Sequence, residues 1–218
     1  MNARSRQEVS ETVATKGRIL DAAERLFADR GFDATSLRTI TAEAGVNLAA
    51  VNYHFGSKAG LLEEVFTRRV APLNEVRLAQ LAALQRECAP ESPGVEAILT
   101  TFIEPALQAS RDPARGGMVF MRLLGRSYAE PNEQIRRFMP GLYEEIKIRY
   151  GEALGAAVPH LPAADLYWRM HFVVGTIAYT MAGTDALQLL ASCPVCDPED
   201  VEGITERLVT FLSAGMRA

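Results

Sequence analysis

The residues best equipped for chemistry crowd into one stretch near the N-terminus. Between positions 35 and 58 stand two hydroxyls (Thr35, Ser36), an arginine (Arg38), two amides (Asn47, Asn52), and the run Tyr53, His54 and Lys58. Hydroxyls, amides and cations of this kind meet phosphate oxygens and base edges. A second group is Cys193-Pro-Val-Cys196, a CxxC, which invites a zinc or redox reading. Zinc normally takes four ligands, and no second CxxC or paired histidine is present; His160 and His171 are remote in sequence. The thiols therefore read as incidental to a loop, and no metal or cofactor is expected. An enzyme or acyl carrier using His171, Arg169 and the CxxC is the competing reading. It lacks an E-x-x-H pair, a Walker A or G-x-G-x-x-G run and a nucleophile elbow.

Position in a helix decides what those polar groups can reach. "TKGRILDAAERLFADRG" reads as a first helix, with Thr15 as cap, Ile19, Ala23, Leu26 and Phe27 on one face, and Gly31 as the stop. "ATSLRTITAEAG" is a short second helix, capped by Thr35 or Ser36, with Leu37 and Ile40 inward and Gly45 at its end. Asn47 caps a third helix, in which Leu48, Val51 and Phe55 form the buried stripe. Ser57 caps the next helix. Two short helices around Gly45-Val46-Asn47 make a helix-turn-helix. A recognition helix must be slim enough for a major groove about 12 Å wide. Ala49 and Ala50 keep this one slim, while Tyr53, His54 and Lys58 reach the groove walls.

The run from residue 18 to 66, "RILDAAERLFADRGFDATSLRTITAEAGVNLAAVNYHFGSKAGLLEEVF", closely resembles the DNA-binding domain of TetR-family regulators. The likeness lies in "AAERLFADRGF", in T-x-x-x-I-x-x-x-AGV and in "YHFGSKAGLL". It implies an all-helical homodimer that reads a palindromic operator and binds a small ligand through its C-terminal domain. It also implies phosphate contacts from Tyr53, His54 and Lys58, and base contacts around Ala49, Ala50 and Asn52. "FMRLLGRSYAEPNEQIRRF", "YWRMHFVVG" and "FLSAGMRA" further resemble the PsrA-type branch, which responds to long-chain fatty acids or their acyl-CoA thioesters.

The rest of the chain must then supply pocket and partner surface. Its 218 residues are 48% apolar, enough for a sizeable core, with no run that would span a membrane and no secretory signal. Net charge is −4, which alone argues against a nucleic-acid binder. Its distribution is less adverse: residues 1–69 carry 10 basic and 9 acidic groups, the remainder 13 and 18. Three cysteines, an odd number, fit a reducing, cytoplasmic setting.

The expected architecture is all-α, with about nine helices. It comprises a flexible tail (1–14), a helix-turn-helix domain (15–70) and a ligand-binding and dimerisation bundle (71–218), with Pro72 kinking or ending the connecting helix. Further helices are predicted over 94–110, 117–129, 131–157, 163–191 and 199–216. Met118, Met121, Phe138, Tyr143, Trp168, Phe172 and Tyr179 are the expected walls of an alkyl pocket. Arg122, Arg169 and His171 are the groups for an acidic head. The TetR resemblance implies that the last two helices carry the dimer contact, and the pattern is consistent with it: Ile204, Leu208, Phe211 and Leu212 share one face, and Gly175, Ala178, Ala182 and Gly183 permit close approach.

Overall fold

The computed structural model describes residues 3–129, 132–182, 197 and 200–218, with backbone alone for 3–9, 129, 181 and 182. Cys193, Cys196 and Gly183 lie outside the described residues. All regular structure among these residues is helical: ten α-helices and a 3-10 turn, with no strand. The helices are α1 (Ala3–Arg30), α2 (Leu37–Ala44), α3 (Leu48–Phe55), α4 (Lys58–Cys88) and α5 (Val95–Arg111). After the 3-10 turn (Pro113–Arg115) come α6 (Gly117–Ala129), α7 (Glu133–Leu142), α8 (Glu144–Ala157), α9 (Ala163–Ala182) and α10 (Val201–Arg217).

Side-chain caps set the edges of the first module. Ser36 Oγ accepts the Thr39 amide at 3.1 Å, Asn47 Oδ1 the Ala50 amide at 2.9 Å, and Ser57 Oγ the Gly60 amide at 3.0 Å. Each satisfies a helix-start N–H that has no partner within its own helix. Gly45 closes α2 at φ 63°, a left-handed conformation that glycine adopts without penalty. Ile19, Ala23 and Phe27 of α1, Ile40 of α2, Val51 of α3 and Leu61, Leu62 and Val65 of α4 are fully buried together. Short helices like α2 and α3 are not stable alone, so this shared core holds them in place.

Several boundaries differ from those expected. The first helix starts at Ala3, so Thr15 lies inside it and residues 3–14 are helical. Pro72 does not end the connecting helix. It is exposed, and Val70, Leu73 and Asn74 beside it are buried, so tertiary packing carries the 31-residue α4 past the missing N–H. The predicted helix 131–157 is two helices. Pro140 and Gly141 weaken it, and the chain turns at Tyr143 (φ −112°, ψ 5°). Leu48 is 43% exposed: at the first position of a two-turn helix it lies beyond the module's core.

An ionic joint ties the first module to the second. Glu24 of α1, nearly fully buried, pairs with Arg68 and with Arg69 of α4, the latter at 2.8 Å. Arg69 Nη1 also donates to the Ala114 carbonyl of the 3-10 turn at 2.8 Å. Gly116 beside it has φ 99°, and a Cβ there would stand 2.7 Å from Phe120 Cβ and 2.9 Å from Arg69 Nε. Only glycine fits over this pair.

Candidate DNA interface and effector-site residues

The outward face of α2–α3 follows from its short length. Arg38, Asn47, Ala49, Asn52 and Tyr53 are exposed, and Ala50 is half-buried. Tyr53 is the most open, at 80%, with its ring edge-on to His54 at 5.1 Å between centroids. His54 is half-buried against Phe55. Lys58 lies over the Phe32 ring, its Nζ 4.2 Å from the centroid. Burial pulls the Lys58 pKa down and Asp33 opposes that pull. Gly60 keeps α4 against this end of α3, since a Cβ there would meet the Phe55 carbonyl oxygen at 2.3 Å.

Thr35 is a correction. It is 1% exposed, and its hydroxyl donates to the Gly31 carbonyl at 2.8 Å and the Leu26 carbonyl at 3.2 Å. It locks the turn between α1 and α2 and has nothing left to offer DNA. Ser36 is exposed but spends its oxygen on the cap. Arg18, which sequence reasoning passed over, lines a shallow groove with Thr15, Thr41, Gly45, Asn47 and Ala50. Its place on α1 gives no motif signal. Only the approach of α1 to the α2–α3 turn brings it there.

The expected pocket residues scatter. Met121 is buried in α6 and Met118 is half-buried. Phe138 packs on Phe66 at 5.6 Å between centroids, and Phe66 on Phe120 at 5.8 Å. Trp168, His171, Phe172 and Tyr179 are exposed on α9 and do not line an interior. Phe211 of α10 is also 69% exposed, although Leu208 and Leu212 beside it are buried. The three expected cations fail for different reasons. Arg122 pairs with Asp29 at 2.9 Å on the surface. Arg169 caps α10 through the Gly215 and Met216 carbonyls. His171 points outward, edge-on to Trp168.

Among the described residues the buried cation is instead Arg77, midway along α4 and 4% exposed. Its Nε donates to the Phe102 carbonyl at 2.9 Å, its Nη1 to Asn74 Oδ1 at 3.3 Å, and its guanidinium stacks 4.0 Å from the Phe102 ring centroid. Asn74 is anchored in turn by the Leu142 carbonyl at 2.8 Å. Tyr143, Tyr150 and Tyr128 lie within electrostatic reach of the same charge, and the Tyr150 hydroxyl donates to the Arg77 carbonyl at 3.1 Å. Burial is the main cause raising all three phenol pKa values, and the guanidinium opposes it. Tyr128 is the exception in exposure, at 49%. Of this group only Tyr143 was expected. Arg77 stands in "NEVRLAQL", which reads from sequence as an ordinary charged helix face.

Comparison with known proteins decides what this arrangement belongs to. Residues 19–65 match the model of bacterial regulatory proteins of the tetR family, and residues 100–215 match the tetracyclin repressor-like C-terminal domain. The HTH-type transcriptional repressor Rv3405c of Mycobacterium tuberculosis is 32% identical over 157 residues, covering 70% of each chain. This chain belongs to the TetR family of DNA-binding transcriptional regulators. The regulator YttP of Bacillus subtilis is 43% identical over 53 residues, which cover 24% of this chain and 26% of that one. Among solved structures, the fatty acid degradation regulator FadR of Bacillus halodurans shares the fold with a TM-score of 0.66 at 16% identity, covering 93% of this chain and 96% of that one. A TetR-family regulator of Streptomyces coelicolor, SCO4454, does so at 0.60 and 20% identity, covering 100% and 98%. Members of the TetR family are regulators, not enzymes. Every expected DNA-facing residue lies within the tetR-family match, whereas Asn74 and Arg77 fall between the two matched segments. No helix among the described residues is long and apolar enough to cross a membrane.

Proposed function

We propose that this TetR-family chain is a cytoplasmic repressor that binds a palindromic operator as a homodimer and leaves it on binding a small hydrophobic effector. The observation that carries the DNA half is the capped α2–α3 pair, whose outward face presents Arg38, Asn47, Ala49, Asn52 and Tyr53. In this reading Tyr53, His54, Lys58 and Arg18 hold phosphates and Arg38 reaches a phosphate or a base. The DNA-binding part runs to about residue 70, and the effector and pairing part from 71 onward.

Pairing is assigned to α9 and α10. Trp168, Phe172 and Tyr179 on one helix and Phe211 on the other stand in solvent at about 60–70% exposure. Large apolar side chains gathered on an outer face mark an interaction site. A two-fold axis through it would set the two reading helices one DNA turn apart. The effector is assigned as a long-chain fatty acid or acyl-CoA, as in the PsrA-type branch. Support comes from the sequence resemblance and, at the level of fold alone, from FadR. Binding would favour a bundle geometry that shifts α4 and separates the reading helices.

A gel shift on the gene's own upstream DNA, with and without oleate or oleoyl-CoA, tests the reading. Retention of the complex against every acyl compound would overturn the effector half. Failure to bind any upstream site would overturn self-regulation through that operator.

A further inference from the structure

We infer that Arg77 is the receptor for the carboxylate of an apolar free acid, held in a polar cluster inside the C-terminal bundle. The inference rests on the proposed effector reading and narrows it from acyl compounds in general to the free acid.

An arginine stays protonated in proteins, and burying it without a counter-charge costs several kcal/mol. Arg77 is buried and has no carboxylate in ion-pair range among the described residues. The one buried carboxylate among the described residues, Glu24, is taken by Arg68 and Arg69. One carbonyl, one amide oxygen and one ring meet part of the guanidinium. Its Nη2 has no hydrogen-bond partner among the described residues. The three phenols supply no negative charge, because burial keeps them protonated, and two of them adjoin each other beside the guanidinium.

Each part of this set matches a carboxylate. Arg77 offers the fork, and Tyr143, which accepts from the Tyr128 hydroxyl, offers an O–H donor. Tyr150 is spent elsewhere: its hydroxyl donates to the Arg77 carbonyl at 3.1 Å and stands 3.0 Å from Thr101 Oγ1. Asn74 keeps the guanidinium oriented. Leu73 and Leu81, one turn either side of it on α4, and Phe102 of α5 belong to the apolar core, so the body of the acid must be apolar. A coenzyme A head, large and multiply charged, cannot be taken into such a place. Tyr128, 49% exposed, is the open member of this set, and so marks the side from which an acid enters.

The test measures binding of dodecanoate, oleate, their primary alcohols and oleoyl-CoA to the purified full chain by titration calorimetry. Each acid should bind at least tenfold tighter than its alcohol, and oleoyl-CoA no better than the alcohol. Arg77→Met should cut the acid preference to within twofold, with helix content by circular dichroism as in the wild type. Arg77→Gln, which can still donate to the Phe102 carbonyl, gives the same reading if the methionine variant does not fold. Acids no tighter than alcohols on the wild type, or a preference that survives both substitutions, overturns the assignment. A wild type that prefers acids yet keeps its grip on operator DNA would instead defeat the effector-release reading and leave this site standing.

Discussion

Thr35 and Ser36 are adjacent hydroxyls with opposite fates, one sealed in the α1–α2 turn and one capping α2 in solvent. Thr35→Val should lower stability by about 1–2 kcal/mol, because two buried carbonyls lose their donor. Operator affinity at temperatures where the variant is folded should stay unchanged; chemical denaturation and a gel shift measure the two. Tyr53 and Lys58 should behave in the reverse way. Tyr53→Phe leaves stability within about 0.5 kcal/mol, as for an exposed site, yet weakens binding on every sequence alike. Lys58→Ala should reduce the slope of log affinity against log salt by about 1. Sequence makes these exposed residues legible because their spacing on a short helix is local information. It could not separate Thr35 from Ser36, since both are good caps and only the approach of α1 chooses between them. Arg77 was illegible for the same reason: nothing along α4 tells a buried arginine from a solvated one until α5 and α8 close over it.

At the scale of elements, two contacts join helices that are distant in sequence. Glu24 holds α1 against α4, and Glu24→Gln should destabilise the chain by on the order of 3 kcal/mol, since two arginines lose a buried partner. Thermal unfolding checks this, and a loss below 1 kcal/mol would show the joint to be dispensable. Arg217 of α10 pairs with Glu96 at the start of α5 and is the first cause holding the Glu96 carboxyl below its ordinary value of 4.5. A carboxyl depressed on folding contributes stability above its unfolded pKa, and that contribution fades as pH falls through the folded one. The stability gap between wild type and Glu96→Gln should therefore close on acidification below about pH 4.3. A gap constant with pH would exclude linkage through this carboxyl. Helix ends at Ser36, Asn47 and Ser57 were readable because caps are local hydrogen bonds. The passage of α4 through Pro72 was not, because burial of Val70, Leu73 and Asn74 outweighs a local breaker.

For the whole molecule, the apolar face on α9 and α10 is the feature that sequence reading misassigned in part. Aromatic residues at helical spacing look the same whether they face a pocket or a partner, and only the packing of Val173 and Ile177 inward shows that Trp168 and Phe172 face out. Phe211→Arg combined with Phe172→Glu should convert the proposed dimer to monomer in sedimentation equilibrium. The double variant should also lose most operator affinity, because each half-site is then bound alone. A dimer that persists would move the pairing surface elsewhere.

The unbroken course of α4 has a mechanical consequence. Lys58, beside the tip of the reading helix, and Arg77, in the middle of the bundle, belong to one rod, separated by about 28 Å at 1.5 Å per residue. Gly60 leaves no slack where that rod meets α3. With Arg77 as fulcrum, each degree of tilt displaces the tip by about 0.5 Å at that arm length. DNA contacts are made over distances of about 3 Å, so a rotation of a few degrees is enough to disengage them. In the proposed reading the thirty-one-residue helix is thus a lever whose long arm lies on the DNA side, and an event too small to unfold anything at Arg77 would be magnified at the end that carries Lys58.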